Sequence, residues 1–179
     1  MTTKTAAEAR YRARRTLAFQ TAEATLAAAG LGVALRPLDA SALTAFAADW
    51  QGHPARRVAW PWPEMAADWR RTRPERFEVA VWSGGGLCAL GLGRPAPSAP
   101  HLSLHYMEAN PDPVHPLRKR AAAAVFAAAE TYALVLGKAE LRLVEPLPAL
   151  VPYYTGPAFG FRLVAPPGAA PYCTRRIAV

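Results

Sequence analysis

At 179 residues, with 52% hydrophobic and 19% charged residues, the chain is predicted to fold around one substantial core, which excludes an intrinsically disordered protein. No apolar run approaches the roughly 18 residues that cross a bilayer, and no hydrophobic segment of a secretory signal follows the basic N-terminus, so we expect a cytoplasmic protein without a membrane partner. The net charge of +8 favours polyanionic or phosphorylated partners without defining the fold.

The first predicted element is a helix from Thr5 to about Ala29, which Gly30 and Gly32 end. Four arginines lie near its start: Arg10, Arg12, Arg14 and Arg15. The simpler interpretation of these arginines is a solvated helix face or an oligomer contact, which leaves a homodimer open. The alternative is an electrostatic footprint for nucleic acid, although neither interleaved aromatic residues nor a nucleic-acid-binding motif accompanies them.

A strand and two helices are predicted next. They are Val33–Leu38, Ala42–Trp50 and Glu64–Arg73, and Asp39 or Ser41 is expected to cap the first of the two helices. Between the helices, the two prolines of Val58–Pro63 exclude a central strand. Trp60 and Trp62 in that segment require burial, either in the core or in the lining of a substrate groove.

The central part of the chain is predicted to form three strands followed by a long helix. The strands are Phe77–Trp82, Leu87–Leu92 and His101–Glu108, and a glycine-rich turn joins the first two. The helix is predicted to start at Leu117–Arg120, a basic turn, and to continue through an alanine-rich segment that Gly137 ends. A strand that leads through a basic turn into a helix N-terminus is typical of an anion-binding site.

The remaining predicted elements are a strand, a short helix and an antiparallel pair of strands. They are Glu140–Val144, Ala149–Tyr154, Phe161–Val164 and Tyr172–Ile177. The alternation of strands and helices predicts an α/β fold with a mixed sheet. We predict two parts of the chain: an N-terminal helical extension, residues 1–32, and the main domain, residues 33–179.

The pattern of cysteines and histidines indicates neither a metal site nor covalent catalysis. Cys88 and Cys173 lie far apart, without the spacing of metal ligands or of a redox pair. His101 and His105 are four residues apart, but on a strand, at about 3.3 Å per residue, they lie too far apart to share one ion. We therefore expect no metal.

The order of the elements and the segment VPYYTGPAFGF, residues 151–161, resemble the GNAT superfamily of acyl-CoA N-acyltransferases. The resemblance extends over roughly Leu35–Ile177. It implies a mixed, mostly antiparallel sheet flanked by helices, to which the first helix is an addition. It also implies direct transfer of an acyl group, acetyl in the first instance, from acetyl-CoA to a small-molecule or protein amine.

The resemblance also implies a coenzyme site. In this superfamily the strand before the long helix splays from its neighbour and holds the pantetheine arm, and the helix N-terminus binds the pyrophosphate through a motif R/Q-x-x-G-x-G/A. The matching strand is His105–Glu108, so that Tyr106 and Met107 would contact the coenzyme. The best match to the phosphate motif consists of Arg118, Lys119, Arg120, Ala121 and Ala123. Ala121 replaces a glycine that lets backbone N–H groups approach the phosphate, and Lys119 and Arg120 would compensate by direct charge.

In this superfamily a tyrosine of the late short helix often protonates the leaving thiolate. Gly160 and Phe161 match the Gly–Phe pair that follows that tyrosine, and both Tyr153 and Tyr154 are candidates, of which we prefer Tyr154. A short insertion, Thr155–Phe159, accounts for the longer spacing.

The attacking amine must lose its proton to a nearby base. Glu108 and Glu145, which end successive strands, are the candidates. His105 is a weaker one, because strand alternation places it on the face opposite Leu102, Leu104 and Tyr106. The backbone N–H near Met107 is expected to hold the developing oxyanion.

Two alternatives to an active transferase remain open. The first is a GNAT-shaped interaction module without coenzyme binding, for which Ala121 in the glycine position is the main argument. The second is a nucleic-acid-directed protein, for which the arginine-rich first helix is the argument. The acceptor pocket is expected to come from residues 42–76, where Trp60, Trp62 and Trp69 suit a bulky or aromatic acceptor as well as they suit a core.

Overall fold

The computed structural model describes residues 3–178, and its helices and strands follow the predicted order. The helices are α1 (Thr3–Ala28), α2 (Ala40–Asp49), α3 (Trp62–Thr72), α4 (Ala121–Val135) and α5 (Val151–Thr155), with a 3₁₀ turn at Pro148–Leu150 directly before α5. The strands are β1 (Ala34–Arg36), β2 (Phe77–Ser83), β3 (Gly86–Pro95), β4 (His101–Ala109), β5 (Glu140–Val144), β6 (Arg162–Val164) and β7 (Tyr172–Arg176). Most bounds differ from the predicted ones by a few residues.

All seven strands belong to one sheet, in the order β1-β2-β3-β4-β5-β7-β6. Within residues 3–178 the pair β4–β5 is parallel, and the other neighbours are antiparallel. This sheet confirms the predicted mixed, mostly antiparallel fold. The parallel pair is the point where the long connection through α4 crosses the sheet.

Helices cover both faces of the sheet, which explains why the central strands are apolar on both sides. Val79 and Val81 of β2 face α1 and α4, whereas Ala80 between them faces α2 and α3. The alanines of α4 let it lie close to the sheet. At Gly91 of β3, an added Cβ would come within 2.9 Å of the Val125 side chain on α4, so only glycine fits beneath this helix.

Helix α1 shares its core with α4. Its buried residues join the same apolar cluster as α4: Ala18, Phe19, Ala22 and Leu26. The predicted division of the chain into an N-terminal extension, residues 1–32, and a main domain, residues 33–179, stays a prediction. Within residues 3–178, no helix combines the length and the apolar character that a bilayer crossing requires.

The interpretation of the α1 arginines as a solvated face is wrong for Arg15. This side chain is 3% exposed, and its guanidinium donates to the carbonyl oxygens of Pro74 and Arg76 and to the carboxylate of Glu8. Arg76 in turn binds Glu8 and Glu78. A buried guanidinium requires such acceptors, so Arg15 connects α1 to the residues that lead into β2. Because it is buried, Arg15 is not available to bind nucleic acid.

Candidate functional site

The parallel pairing of β4 and β5 stops halfway along β4. It runs from His101 opposite Glu140 to Leu104 opposite Leu143, while β4 continues to Ala109 without a β5 partner. A cavity of about 590 Å³ opens at this divergence. Its walls are the second half of β4 with the segment 110–113 that follows it, the end of β5, the segment 146–150, Tyr154 and the loop between α2 and α3.

A β-bulge at His105 marks the point of divergence. On β3, Leu92 pairs with Tyr106 and the next residue, Gly93, pairs with Leu104, so His105 is the extra residue in β4. At Gly93 an added Cβ would lie 2.4 Å from the carbonyl oxygen of Ser103, so the bulge requires glycine there. Bulges bend a strand and increase its twist, which turns the end of β4 away from β5.

The bulge also exchanges the faces of the residues that follow it. Leu102 and Leu104 pack with α1 and α4, whereas Tyr106 packs with the cluster of α2 and α3. The prediction that Tyr106 shares a face with Leu102 and Leu104 is therefore wrong, because simple alternation does not survive the extra residue. Met107 returns to the α4 side.

His105 lies among aromatic and cationic groups beside the cavity. Its ring centroid is 5.5 Å from that of Trp69, and its buried Nε2 has no hydrogen-bond partner in the part of the chain that the structure describes. Burial, then Arg94 and Arg73, lower the pKa of His105 from 6.5 to about 4. The imidazole is therefore neutral at pH 7 in the folded chain.

This pKa predicts an acid-sensitive contribution to stability. Because the folded-state pKa lies below the unfolded value, the contribution is complete above pH 6.5 and is lost as the pH falls towards 4. Urea unfolding at pH 7, 5.5 and 4 should show the wild-type free energy of unfolding falling by about 2 kcal/mol more than that of His105→Gln. Identical pH dependence in the two proteins would contradict this assignment.

Glu108 lines the cavity as a fully engaged carboxylate. It accepts hydrogen bonds from Arg56 Nε at 2.6 Å, from Arg56 Nη2 at 3.1 Å and from Trp62 Nε1 at 2.6 Å. Arg56 also donates to the carbonyl oxygen of Trp60 at 2.9 Å and lies over the ring of Phe46. The sequence left open whether the two tryptophans lie in the core or line a groove. Trp62 is fully buried in the core, whereas Trp60 lines the cavity.

Glu145 lines the same cavity from the end of β5. Its backbone has a φ of 47° and its N–H donates to the carbonyl oxygen of Pro171. The side chain is exposed and makes no ion pair or side-chain hydrogen bond within the described part of the chain. The two predicted base candidates thus meet at one cavity, one carboxylate engaged and the other free.

The two tyrosines of α5 have different surroundings. Tyr154 is 7% exposed, lines the cavity and packs against the rings of Phe126 and Phe161. Burial, then the neighbouring Tyr153 and Cys173, raise the pKa of Tyr154 to about 12. Tyr153 is 41% exposed and lies outside the cavity lining, and its hydroxyl donates to the carbonyl oxygen of Lys119 at 3.4 Å.

The basic turn, residues 117–120, precedes α4 rather than starting it. The predicted helix start at Leu117 is wrong, because Lys119 adopts a φ of 64° and the carbonyl of Leu117 closes a turn with the N–H groups of Arg120 and Ala121. Arg118, Lys119 and Arg120 are exposed, and no side chain of the described residues caps the N-terminus of α4.

The two alanines of the predicted phosphate motif lie in the first turn of α4. Ala121, in the glycine position, is 3% exposed and its methyl group packs into the core of α1 and α4. Ala123 is half-buried. The basic turn and these alanines lie outside the lining of the cavity, and the hydrogen bond from Tyr153 to Lys119 connects them to α5.

No group of three or more His, Cys, Asp and Glu side chains in residues 3–178 is arranged to hold a metal ion. Sequence reasoning missed Arg56, the partner of Glu108. The two residues are 52 positions apart, and the need to bury Trp62 was the one indirect sign that this loop packs against β4.

Neither a scan of protein-family models nor a search of curated proteins found a match to the sequence. Solved structures do match the fold. A GNAT-family protein from Desulfovibrio desulfuricans has a TM-score of 0.60 at 13% identity over 82% of this chain and 100% of its own. An acetyltransferase from Thermus thermophilus has a TM-score of 0.59 at 18% identity over 82% of this chain and 97% of its own.

A third matching structure is the PaiA N-acetyltransferase from Thermoplasma acidophilum in complex with coenzyme A, with a TM-score of 0.53 at 13% identity over 82% of this chain and 99% of that one. Together these matches confirm the predicted GNAT fold.

Proposed function

We propose that this chain, whose fold is the GNAT fold, transfers an acyl group, acetyl in the first instance, from acetyl-CoA to an amine. The observation that carries the proposal is the divergence of β4 from β5, which opens a cavity between a buried tyrosine and a free carboxylate. The fold match to a structure that holds coenzyme A supports the choice of donor.

The residues around the divergence fit an acyl-CoA. The β5-facing edge of His105–Ala109 has no strand partner among residues 3–178, so the backbone of Tyr106 and Met107 offers N–H and C=O groups to the amides of a pantetheine arm. The N–H near Met107 is placed to donate to the thioester oxygen.

The diphosphate is proposed to bind at the basic turn. Arg118, Lys119 and Arg120 present exposed cations. The N-terminus of α4 adds the positive end of its dipole and the N–H groups of its first turn other than that of Ala121, which donates to Leu117. Because the methyl group of Ala121 packs into the core, it does not project over this N-terminus. This position of the methyl group supports coenzyme binding over a coenzyme-free interaction module.

Two side chains are proposed to move the protons. The free carboxylate of Glu145 accepts the proton of the amine, whose nitrogen then bonds to the thioester carbon as the carbon–sulfur bond breaks. Tyr154, which stays protonated at neutral pH because its pKa is about 12, donates its proton to the departing thiolate. Glu108 keeps a place in this site as the partner of Arg56 and Trp62.

A calorimetric titration tests the proposal. Acetyl-CoA is expected to bind with a Kd in the micromolar range and to raise Tm, and S-acetylpantetheine, which lacks the diphosphate, is expected to bind more weakly. An amine panel should then release free CoA thiol together with an N-acetylated product. Absence of both acetyl-CoA binding and thiol release would overturn the proposed function.

A further inference from the structure

The loop between α2 and α3, residues 51–61, forms one wall of the cavity. We call it the acceptor loop. Its contribution to the lining is Ala55, Arg56, Arg57, Val58 and Trp60. Since the proposed coenzyme site uses β4, α4 and α5, this loop is available to the second substrate.

An ion pair with β4 fixes the acceptor loop and neutralises its first arginine. Both side chains are withdrawn from solvent, with 11% of Arg56 and 5% of Glu108 exposed. The two hydrogen bonds between them occupy both carboxylate oxygens, and the indole of Trp62 adds a third bond. Glu108 is therefore unavailable to bind an ammonium group of a substrate.

The next residue, Arg57, is a cation without a partner. It is exposed, lines the cavity, and forms no ion pair and no side-chain hydrogen bond within residues 3–178. Val58, Trp60 and Tyr106 line the same cavity with apolar and aromatic surface, and the rings of Trp60 and Tyr106 lie 5.3 Å apart at their centroids. The unpaired charge on this wall is thus positive.

We infer that the acceptor is an amine that also carries an anionic group, a carboxylate or a phosphate, which Arg57 binds. A guanidinium is suited to both anions, because its planar N–H groups match two oxygens at once. The amine end then lies towards Glu145 on the β5 side, where the proposed function places proton removal. Polyamines and lysine-rich peptides are disfavoured, because Arg57 repels a second ammonium group and Glu108 is already paired. This inference rests on the proposed function.

Matched pairs of amines test the inference with acetyl-CoA as donor. L-alanine is compared with L-alaninamide, and O-phosphoethanolamine with ethanolamine, so that each pair differs in the anionic group; spermidine represents polycations. In at least one pair the anionic member is expected to have a kcat/KM at least about 10-fold higher than the neutral member, and spermidine is expected to be the poorest acceptor.

Substitution of Arg57 tests whether its side chain causes the preference for the anionic amine. Arg57→Gln is expected to remove most of the roughly 10-fold ratio by raising KM for the anionic amine, with KM for acetyl-CoA unchanged. Arg36→Gln, which changes an exposed arginine of β1 outside the cavity, is the matched control and should keep the ratio.

Three outcomes would overturn the inference. They are a preference for neutral or polycationic amines, a ratio that survives in Arg57→Gln, and acetyl-CoA binding without transfer to any anionic amine. If acetyl-CoA binds and some amine of the panel still releases free CoA thiol, the proposed function stands in each of these cases. Failure to bind acetyl-CoA at all removes the proposed function and this inference together.

Discussion

Reversing the charge of the basic turn, with Arg118, Lys119 and Arg120 all replaced by glutamate, is expected to weaken acetyl-CoA binding at least about 100-fold. Charge-assisted hydrogen bonds to phosphate contribute about 1.5–3 kcal/mol each, and carboxylates would repel the diphosphate. A 100-fold loss corresponds to about 2.7 kcal/mol. Calorimetric titration at fixed ionic strength measures it, and Arg118→Glu alone should account for about 10-fold.

Two controls separate loss of phosphate binding from damage to the fold. S-acetylpantetheine has no diphosphate, so the triple variant should bind it as the wild type does. Replacement of Arg10 and Arg12, two exposed arginines of α1, by glutamate should keep the Kd for acetyl-CoA within about twofold of the wild-type value. These arginines lie outside the proposed site. An unchanged Kd in the triple variant would place the diphosphate elsewhere.

The elements that could be predicted from the sequence are those that local chemistry determines. The apolar run Phe77–Trp82 becomes β2, buried on both faces, and Asp39 caps α2 as expected, with its carboxylate accepting the N–H of Ala42. The tail that resembled the GNAT superfamily also folds as a short helix followed by a strand pair. Gly160, with a φ of 64°, precedes the last buried aromatic, Phe161.

The start of α4 could not be predicted, because it depends on one backbone angle. Lysine rarely adopts positive φ, so nothing in the sequence of the basic turn indicates that Lys119 does so. As a result, the sequence does not reveal that the helix begins only at Ala121. The consequence for the site is large, since the three cations lie on an exposed turn instead of on the helix surface.

The position of the bulge is a second feature that could not be predicted from the alternation of side chains along β4. Gly93 was the available sign, since a glycine within a strand often marks a bulge or a close backbone approach. The extra residue is His105 on the neighbouring strand, so the glycine and the residue it accommodates are not adjacent in sequence. The faces of Tyr106 and Glu108 follow from that pairing.

Long-range hydrogen bonds of buried arginines are a third feature that the sequence does not reveal. Arg56 meets Glu108 across 52 residues, and Arg15 meets the carbonyl oxygen of Arg76 across 61. No local pattern encodes such pairs, because only the packed fold brings the partners together and excludes water from them. Both candidate bases were predicted from strand ends, but which of them is free could be read only from these contacts.

Substitution of the buried tyrosine, Tyr154→Phe, is expected to lower kcat by about 100- to 1000-fold, the range typical of losing a general acid. The phenylalanine ring keeps the contacts with Phe126 and Phe161, so the fold and the KM for acetyl-CoA should be retained. Steady-state kinetics with one anionic amine, over several acetyl-CoA concentrations, separate the two constants. Tyr153→Phe is the matched control, because Tyr153 is outside the cavity lining, and its kcat should stay within about twofold.

The identity of the leaving thiol provides an independent test of the acid role. A thioester of acetic acid with an acidic aromatic thiol needs no proton on departure, so Tyr154→Phe should slow its reaction far less than that of acetyl-CoA. Because the pKa of Tyr154 is raised to about 12, the wild-type kcat should show no alkaline decline from this group below about pH 10. Unchanged turnover in Tyr154→Phe would exclude it as the acid, and a loss in Tyr153→Phe instead would transfer the role to its neighbour. Equal losses with both thioesters would mean that the hydroxyl orients the donor rather than protonating the thiolate.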